Sequence, residues 1–154
     1  MVCLGNICRS PLAEGIMKKK LEDNNIEGFV DSCGFESFHT GDSPDRRGVE
    51  TALKHGVDIS KQKSRLFKVA DFDNFDKIYV MDKNNYRDVS AVARNEEDLK
   101  KVDLIMNVVH PGSGMPVPDP YYGGASGFNK TWDLLDQATD VIIGQINNKT
   151  FLKE

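Results

Sequence analysis

Apolar residues recur at helical spacing in two long stretches of the chain. The first predicted helix covers residues 11–24 and begins with a proline, which suits the first turn of a helix. The second covers residues 126–148 and carries its apolar side chains on one stripe, which indicates packing against a core. The repeating residues are Leu12, Ile16, Met17 and Leu21 in the first helix, and Phe128, Trp132, Leu135, Ile142 and Ile146 in the second.

Shorter apolar patterns fill the chain between these two helices. Further helices are predicted at residues 44–55, 84–92 and 96–101, and strands at residues 29–32, 77–81 and 102–106. Ser43 is the predicted N-cap of the first of these helices, and Gly56 is its stop signal. Residues 107–124 are rich in Gly and Pro and predict a long loop of the kind that often carries function. Strands that alternate with helices predict an α/β fold with a parallel sheet, whose ligands bind beyond the carboxyl ends of the strands.

Composition narrows the class of protein. A chain of 154 residues with 39% hydrophobic and 29% charged residues predicts a single globular domain over residues 1–154. The net charge of −4 and the lack of a dense basic stripe argue against nucleic acid as a partner. No 18-residue apolar stretch or signal-peptide pattern is present, so we expect no membrane association and a cytoplasmic location. The three cysteines and three scattered histidines predict neither a disulfide framework nor a metal site, and we expect no cofactor.

The chemistry of the chain is concentrated in residues 3–10, Cys-Leu-Gly-Asn-Ile-Cys-Arg-Ser. A loop that runs into a helix N-terminus directs backbone N–H groups and the helix dipole at one point, which suits a phosphate. The fork of Arg9 can hold two phosphate oxygens, and Gly5 and Asn6 tolerate left-handed backbone dihedrals. Such surroundings lower a thiol pKa from about 8.5 into a range of roughly 3.5 to 7.5. These residues predict a thiolate nucleophile at Cys3, whereas a reading of Cys3 as a core residue leaves the loop chemistry unexplained.

The sequence resembles the low molecular weight protein tyrosine phosphatases. The match to their phosphate loop is close over residues 3–11, and residues 119–123, Asp-Pro-Tyr-Tyr-Gly, resemble the general-acid loop of that family. The resemblance covers essentially the whole chain and implies three layers, with a four-stranded parallel sheet flanked by helices. Further matching positions are Asp31, Ser32, Ser43, Pro44, Asp45, Arg47, His55, Gly56, Asp71, Phe72, Phe75, Asp76, Met81 and Asp82, of which Asp45 and Asp82 are expected to be structural.

The chain departs from the family pattern at two places. Only Met1 and Val2 precede Cys3, whereas a normal strand has about five or six residues, so the first strand is expected to be truncated. Gln62 stands where relatives commonly carry a histidine near the phosphate-loop asparagine. Since glutamine can both donate and accept a hydrogen bond but does not titrate, we expect the supporting network to persist without the pH dependence of a histidine.

The resemblance implies a role for each matching residue. Cys3 is the nucleophile that forms a phosphocysteine, Arg9 holds the phosphate, and Asp119 protonates the leaving group and then activates water. Asn6 fixes the loop, and Ser10 donates to the thiolate or, alternatively, satisfies a free amide at the start of the helix. The full expected set of phosphate-binding residues is Leu4, Gly5, Asn6, Ile7, Cys8, Arg9 and Ser10.

Two further sets of residues complete the expected site. Tyr121 and Tyr122 are expected at the pocket rim, and Phe38 forms another wall of the pocket or packs in the core. Cys8 is expected to capture an oxidised Cys3 as a disulfide and so protect it, or else to be a small core residue.

The expected function is hydrolysis of phosphotyrosine in proteins, or of small aryl phosphates, with inorganic phosphate as an inhibitory product. A thiol-based arsenate reductase of the same fold needs two more cysteines on a later segment, but after Cys8 the chain has only Cys33. A phosphopeptide-binding module without turnover is opposed by the complete set of Cys3, Arg9 and Asp119. A small-molecule phosphatase of low specificity remains open.

Overall fold

The computed structural model describes residues 1–153 and has an α/β architecture. Over these residues it contains six α-helices, two regular β-strands and three short 3₁₀ turns. The helices are α1 (Arg9–Asp23), α2 (Arg46–Lys54), α3 (Asp71–Asn74), α4 (Lys83–Ala91), α5 (Glu96–Lys100) and α6 (Gly124–Asn147). The strands are β1 (Ile78–Val80) and β2 (Val102–Leu104), and the 3₁₀ turns are Ser37–His39, Ile105–Val108 and Pro120–Tyr122.

The two strands are parallel, and two further segments continue their sheet as single bridges. Val80 pairs with Leu104 within the regular sheet, and Val2 forms parallel bridges to both Val80 and Cys33. The backbone N–H of Val2 donates to the carbonyl of Tyr79 at 2.8 Å. Beyond these segments, Gly34 forms a parallel bridge to Leu66, so the order of paired segments is Leu66, Cys33–Gly34, Val2, β1 and β2, of which only β1 and β2 are regular strands.

The two long helices, α1 and α6, each begin two residues before the predicted first residue. Two local predictions are wrong. No strand forms at residues 29–32, and the bridge to Val2 comes one residue later, at Cys33. In this segment the carboxylate of Asp31 accepts from the backbone N–H of Ser32 and from Arg65, so side chains replace part of a strand ladder.

The second error concerns the start of α2. Asp45, not Ser43, is the N-cap, because its carboxylate accepts the backbone N–H of Arg47 at 2.9 Å. The hydroxyl of Ser43 instead accepts a hydrogen bond from Lys63 at 3.1 Å.

Helices cover both faces of the sheet. Ile78 and Val80 of β1 pack in one apolar cluster with Phe72 of α3 and Val89 of α4. Tyr79, between them, points to the opposite face and belongs to the larger cluster, because side chains alternate along a strand. That larger cluster includes the predicted stripes of α1 and α6, with Leu12, Ile16, Phe128, Trp132, Leu135 and Ile142 buried. Over residues 1–153, no helix combines the length and apolar character that crossing a membrane requires.

Candidate active site

The phosphate loop (residues 3–10) begins directly after the bridging residue Val2 and ends in the first turn of α1. Asn6 adopts a left-handed conformation with a φ of 55°, as its residue type predicts, but Gly5 does not. A glycine outside the loop is the one that its packing requires. A Cβ on Gly34 would lie only 2.6 Å from the carbonyl oxygen of Leu4, so only a glycine permits this close approach.

The sulfur of Cys3 lies at the base of this loop and is almost fully buried. It lies 3.0 Å from the hydroxyl oxygen of Ser10, and the backbone N–H of Asn6 donates to it at 3.3 Å. Ser10 therefore contacts the thiol, as the first of its two expected roles requires. In this contact either the sulfur or the hydroxyl can be the donor.

The side chain of Asn6 ties the loop to two other segments. Its amide nitrogen donates to Ser10 at 2.8 Å and to Ser32 at 2.9 Å, and its amide oxygen accepts from the backbone N–H of Arg65 at 3.1 Å. Gln62 does not contact this network, because its own amide donates to the carbonyl of Pro11 at 3.1 Å. The expected network is thus present, but Gln62 is not a member of it.

Arg9 is held rigidly beside Cys3. Its guanidinium donates to the carboxylate of Asp82 at 2.7 Å and to the carbonyl of Val117 at 2.9 Å, and only 3% of the residue is exposed. Because these contacts satisfy one terminal nitrogen, other N–H groups of the fork remain for an anion in the cleft.

Asp119 lies across the cleft from the phosphate loop. Its carboxylate is 3.8 Å from the guanidinium of Arg9 and is 41% exposed. It also caps the turn Pro120–Tyr122, where it accepts the backbone N–H of Tyr121 at 3.0 Å. A carboxyl group that is both fixed and open to water suits the transfer of protons.

These groups open into one cleft of about 330 Å³. Phe38 and Tyr122 project from its rim and are largely exposed, so Phe38 is not a core residue. Asn6 and Ser10 lie behind Cys3 and outside the lining. The lining residues are Cys3, Leu4, Gly5, Ile7, Cys8, Arg9, Glu36, Phe38, His39, Asp119, Tyr121 and Tyr122.

Glu36 and His39 of this lining were not expected from the sequence. His39 packs edge-on against Phe38 with ring centroids 4.9 Å apart, and its Nδ1 lies 3.1 Å from the carboxylate of Asp42. The sequence offered one indication of their place in the lining, because both residues lie close to Phe38, which was expected to form a wall of the pocket.

Asp45 and Arg47 support the cleft from below. The backbone N–H of Asp45 donates to the carbonyl of Ile7 at 2.8 Å, which joins α2 to the phosphate loop. Arg47 donates two side-chain hydrogen bonds to Asp45 and lowers the pKa of that carboxyl group, although burial acts in the opposite direction. The guanidinium carbon of Arg47 lies 5.5 Å from the ring centroid of Tyr121 and 4.8 Å from that of Phe128.

The other two thiols differ from Cys3 in their surroundings. Burial, followed by the nearby charge of Asp45, raises the pKa of the Cys8 thiol far above its ordinary value. Burial likewise raises the pKa of Cys33 to about 12. All three cysteines are free thiols, and neither Cys8 nor Cys33 is poised to ionise near neutral pH.

Comparisons with known proteins agree with this geometry. Residues 1–151 match the family model for low molecular weight phosphotyrosine protein phosphatases. A low molecular weight phosphotyrosine protein phosphatase of Schizosaccharomyces pombe is 41% identical over 130 residues, which cover 82% of each chain. The Homo sapiens protein of the same name is 36% identical over 133 residues, covering 85% of this chain and 84% of its own.

A solved structure gives the same result at the level of the fold. A protein tyrosine phosphatase of Entamoeba histolytica, with Hepes in its active site, superposes with a TM-score of 0.89 and 35% identity. The match covers 96% of this chain and 95% of the other. By its sequence, its fold and the arrangement of its cleft, the chain belongs to the family of low molecular weight phosphotyrosine protein phosphatases.

Proposed function

We propose that this chain, acting as one domain over residues 1–154, is a protein tyrosine phosphatase that works through a phosphocysteine at Cys3. Membership of the family supports the activity. The observation that carries the assignment of residues is the Cys3 sulfur, which receives the N–H of Asn6 and contacts Ser10 at the base of a cleft. Arg9 and Asp119 line the same cleft, so nucleophile, anion-binding group and proton donor face one substrate.

In the first step, the Cys3 thiolate attacks phosphorus and forms an S–P bond. The bond between phosphorus and the phenolic oxygen breaks, and protonated Asp119 gives its proton to that oxygen as it leaves. The loop amides and Arg9 hold the three remaining oxygens as charge shifts among them. This work requires a fixed guanidinium, which the contacts of Arg9 with Asp82 and Val117 supply.

In the second step, water attacks the phosphocysteine. The Asp119 carboxylate takes a proton from that water, a new P–O bond forms, and the S–P bond breaks to release inorganic phosphate. The electron pair returns to the Cys3 sulfur, where the hydroxyl of Ser10 and the N–H of Asn6 stabilise it. The same donors that favour the attacking thiolate also make it a good leaving group.

The walls of the cleft favour an aromatic substrate. Phe38, Tyr121 and Tyr122 surround the opening above the phosphate loop, and a phosphotyrosine ring can stack on them while its phosphate reaches Cys3. The substrates we infer are phosphotyrosine-containing proteins or small aryl phosphates, with inorganic phosphate as the inhibitory product. Neither nucleic acid nor a membrane is an inferred partner, and we infer a cytoplasmic location. We further infer that the bridging segments at Val2 and Cys33 act with β1 and β2 as a four-stranded sheet that holds the loop.

The alternative functions have less support. An arsenate reductase would need two resolving thiols on a late segment, but the one thiol after Cys8 is Cys33, a buried residue paired with Val2. A binding module without turnover would not need a carboxylate placed across the cleft from the thiol, as Asp119 is.

Steady-state turnover separates these functions. Hydrolysis of phosphotyrosine and phosphoserine peptides should be measured beside arsenate reduction, with Cys3→Ser as the control. We expect phosphotyrosine to be hydrolysed much faster than phosphoserine, no arsenate reduction, and no turnover by the control. Equal rates on both peptides would instead support a phosphatase of low specificity, and binding without turnover would support the module.

A further inference from the structure

Helix α1 contains a buried carboxylate to which the phosphatase chemistry gives no role. Glu14 is only 4% exposed, although burial of an ionised carboxylate is costly unless hydrogen bonds or a partner charge compensate it. Both of its oxygens are engaged. Oε1 accepts the hydroxyl of Ser32 at 2.7 Å, and Oε2 accepts from the ammonium group of Lys18 at 2.6 Å. The contact with Ser32 joins Glu14 to the residues behind the nucleophile.

The carboxylate determines which way the hydroxyl of Ser32 points. An ionised carboxylate can only accept hydrogen bonds, so the single proton of Ser32 is directed at Glu14. The oxygen of Ser32 is then left as an acceptor. It receives the amide N–H of Asn6 at 2.9 Å.

The amide of Asn6 is fixed at both of its ends. Its two N–H groups go to Ser32 and to Ser10, and its oxygen accepts the backbone N–H of Arg65. A flipped amide would place its NH₂ group against that N–H donor and its oxygen between the two hydroxyl groups. Asn6 therefore donates to Ser10, at 2.8 Å.

The chain of hydrogen bonds ends at the sulfur of Cys3. Because the oxygen of Ser10 accepts from Asn6, the proton of Ser10 is free to point at the sulfur, 3.0 Å away. Glu14 sets the direction at Ser32, and the backbone N–H of Arg65 supports the same direction at Asn6. Gln62 lies outside this chain, with its Nε2 on Pro11 and its Oε1 without a hydrogen-bond partner among the described residues.

We propose that Glu14 is a positioning residue that, together with the backbone N–H of Arg65, sets the direction of the hydrogen bonds through Ser32, Asn6 and Ser10, so that Ser10 donates to the Cys3 thiolate. This inference rests on the proposed function, since it concerns the nucleophile of that reaction. Glu14 never touches the substrate, and its effect reaches the sulfur only through three intervening residues.

Several charged groups surround Glu14. Lys18 pairs with it from the next turn of α1, and its side chain is half exposed, so it supplies charge without closing off the site. Burial lowers the pKa of the Met1 amino group. The nearby charges of Cys33 and Glu14 act in the opposite direction. The other charged groups of the surrounding pocket are Lys19, Glu22, Asp31, Asp58, Lys61 and Lys63.

The test is the pH dependence of iodoacetate inactivation at Cys3, measured together with kcat and KM on an aryl phosphate. Glu14→Met keeps the size of the side chain but gives Ser32 no acceptor. We expect the midpoint pH of inactivation to rise by about one unit, which is the scale of one hydrogen bond to a charged group. We also expect kcat to fall about tenfold, with little change in KM. Glu14→Gln should restore most of both values, because its amide oxygen can still accept from Ser32.

Two further variants separate positioning from mere stability. Asp98→Asn alters another buried carboxylate, on α5, which accepts from the backbone N–H and the side chain of Arg94. It should lower the thermal midpoint of unfolding and leave the pH midpoint of inactivation unchanged. Ser32→Ala breaks the same chain one step later, so the double variant with Glu14→Met should be no worse than either single variant.

The outcomes are distinct. An unchanged pH midpoint in Glu14→Met, or additive shifts in the double variant, would overturn the inference. If Glu14→Met does not fold, Ser32→Ala alone decides, since an unchanged midpoint in that variant also overturns it. A wild-type protein that neither reacts at Cys3 nor hydrolyses aryl phosphates would instead contradict the proposed function.

Discussion

The three cleft residues to which we assign the chemistry differ in how deeply they are buried. Cys3 and Arg9 are almost fully buried and are held by neighbouring groups, whereas the carboxylate of Asp119 is 41% exposed. A fixed thiolate and guanidinium need no rearrangement as charge moves in the transition state. An exposed carboxyl group can exchange protons with water between turnovers. The division of roles thus follows from the environment of each side chain.

Replacement of the proposed general acid should have an effect that depends on the leaving group. In Asp119→Ala, hydrolysis of an alkyl-substituted phenyl phosphate should slow by roughly 10²- to 10⁴-fold. The loss should shrink for nitrophenyl phosphates, because a stable phenolate departs without a proton. Steady-state rates across a leaving-group series measure this trend. Asp140→Ala, which alters an exposed carboxylate on α6, is the matched control and should behave as wild type.

An equal loss across that series would contradict the assignment. It would mean that Asp119 acts by capping the turn Pro120–Tyr122 and not by proton transfer.

Cys8 should protect Cys3 from irreversible oxidation. Because burial raises the pKa of Cys8, peroxide should oxidise Cys3 first, to a sulfenic acid. The Cys8 thiol then attacks the oxidised sulfur and gives up its proton as the S–S bond forms, and the sulfenic oxygen takes that proton and leaves as water. Wild type should regain most of its activity when dithiothreitol follows peroxide, and Cys8→Ser should regain much less.

Cys33→Ala is the control for this experiment, since Cys33 is a third buried thiol outside the phosphate loop. It should recover as wild type does. Equal recovery of Cys8→Ser, or the absence of a Cys3–Cys8 disulfide in a peptide map, would show that Cys8 has no protective role.

At the scale of residues, the sequence predicts the residues that react with substrate better than it predicts the residues that hold them in place. Cys3 and Arg9 could be predicted from the pattern of residues 3–10, whereas Asp119 could be predicted only from the resemblance to the family, because an Asp-Pro pair by itself indicates a simple turn. Gly34 could not, since its need for a small residue arises only when its segment packs on the carbonyl of Leu4. The same holds for Glu14, whose hydrogen bond to Ser32 joins α1 to a segment that no local pattern relates to it.

At the scale of elements, α2 connects the phosphate loop to the aromatic rim. Asp45 contacts the loop through its backbone and holds Arg47, which lies against Tyr121. The folded-state pKa of Asp45 is lowered, chiefly by its hydrogen bond with Arg47. A carboxyl group of this kind stabilises the folded state above its unfolded pKa, and that contribution is lost as the pH falls through the folded pKa.

Asp45→Asn should therefore destabilise the protein in a pH-dependent way. Asparagine can still cap α2, so the change removes the ion pair and keeps the cap. We expect a loss of roughly 1 kcal/mol of unfolding free energy at pH 7, which shrinks as the pH falls below the ordinary pKa of an aspartate, about 3.9, and through the lowered folded-state pKa. Urea unfolding at several pH values measures it.

Arg46→Gln is the matched control, because it removes the neighbouring, exposed pair of Arg46 with Glu50 on the same helix. It should change stability by less than about 0.5 kcal/mol at any pH. A pH-independent loss in Asp45→Asn would contradict the role assigned to the ion pair.

Long helices could be predicted from the sequence, and short or irregular elements could not. Apolar residues repeat over several turns in α1 and α6, and this repeat predicts both helices, although residues 9–17 of α1 are buried on all sides. The bridges at Val2 and Cys33 involve one residue each and depend on pairing with distant segments. Asp45 is the N-cap of α2 because its carboxylate accepts the backbone N–H of Arg47, whereas Ser43 contacts Lys63.

At the scale of the whole molecule, the sheet gathers residues from distant parts of the chain. Cys3 follows the bridging residue Val2, Asp82 lies two residues after β1, and the loop with Asp119 joins them at the same end. A parallel sheet predicts this convergence at the carboxyl ends of its strands. Phe38 was predicted as a wall of the cleft, but Glu36 and His39 were not, because they reach the lining through a 3₁₀ turn that no local pattern predicts.

Inorganic phosphate should stabilise the whole fold through this cleft. A ligand that binds only the folded state, at a hundred times its dissociation constant, adds about 2.7 kcal/mol of unfolding free energy. For a domain of this size, the unfolding midpoint should rise by about 5–10 °C. Differential scanning fluorimetry measures the shift.

Arg9→Lys should lose most of that increment, because lysine cannot hold two phosphate oxygens in a fixed plane. The comparison is between shifts caused by phosphate, so a lower starting midpoint in the variant does not matter. A shift of the same size in Arg9→Lys would show that phosphate binds elsewhere.

The central claim is that the Cys3 sulfur carries the phosphoryl group during turnover. The most direct test mixes the enzyme rapidly with a phosphotyrosine peptide labelled at phosphorus, stops the reaction with denaturant and maps the label by mass spectrometry. We predict label on the peptide that contains Cys3, formed within one turnover and lost as inorganic phosphate appears, with none in Cys3→Ser. Label on another residue, or full turnover by Cys3→Ser, would contradict the account.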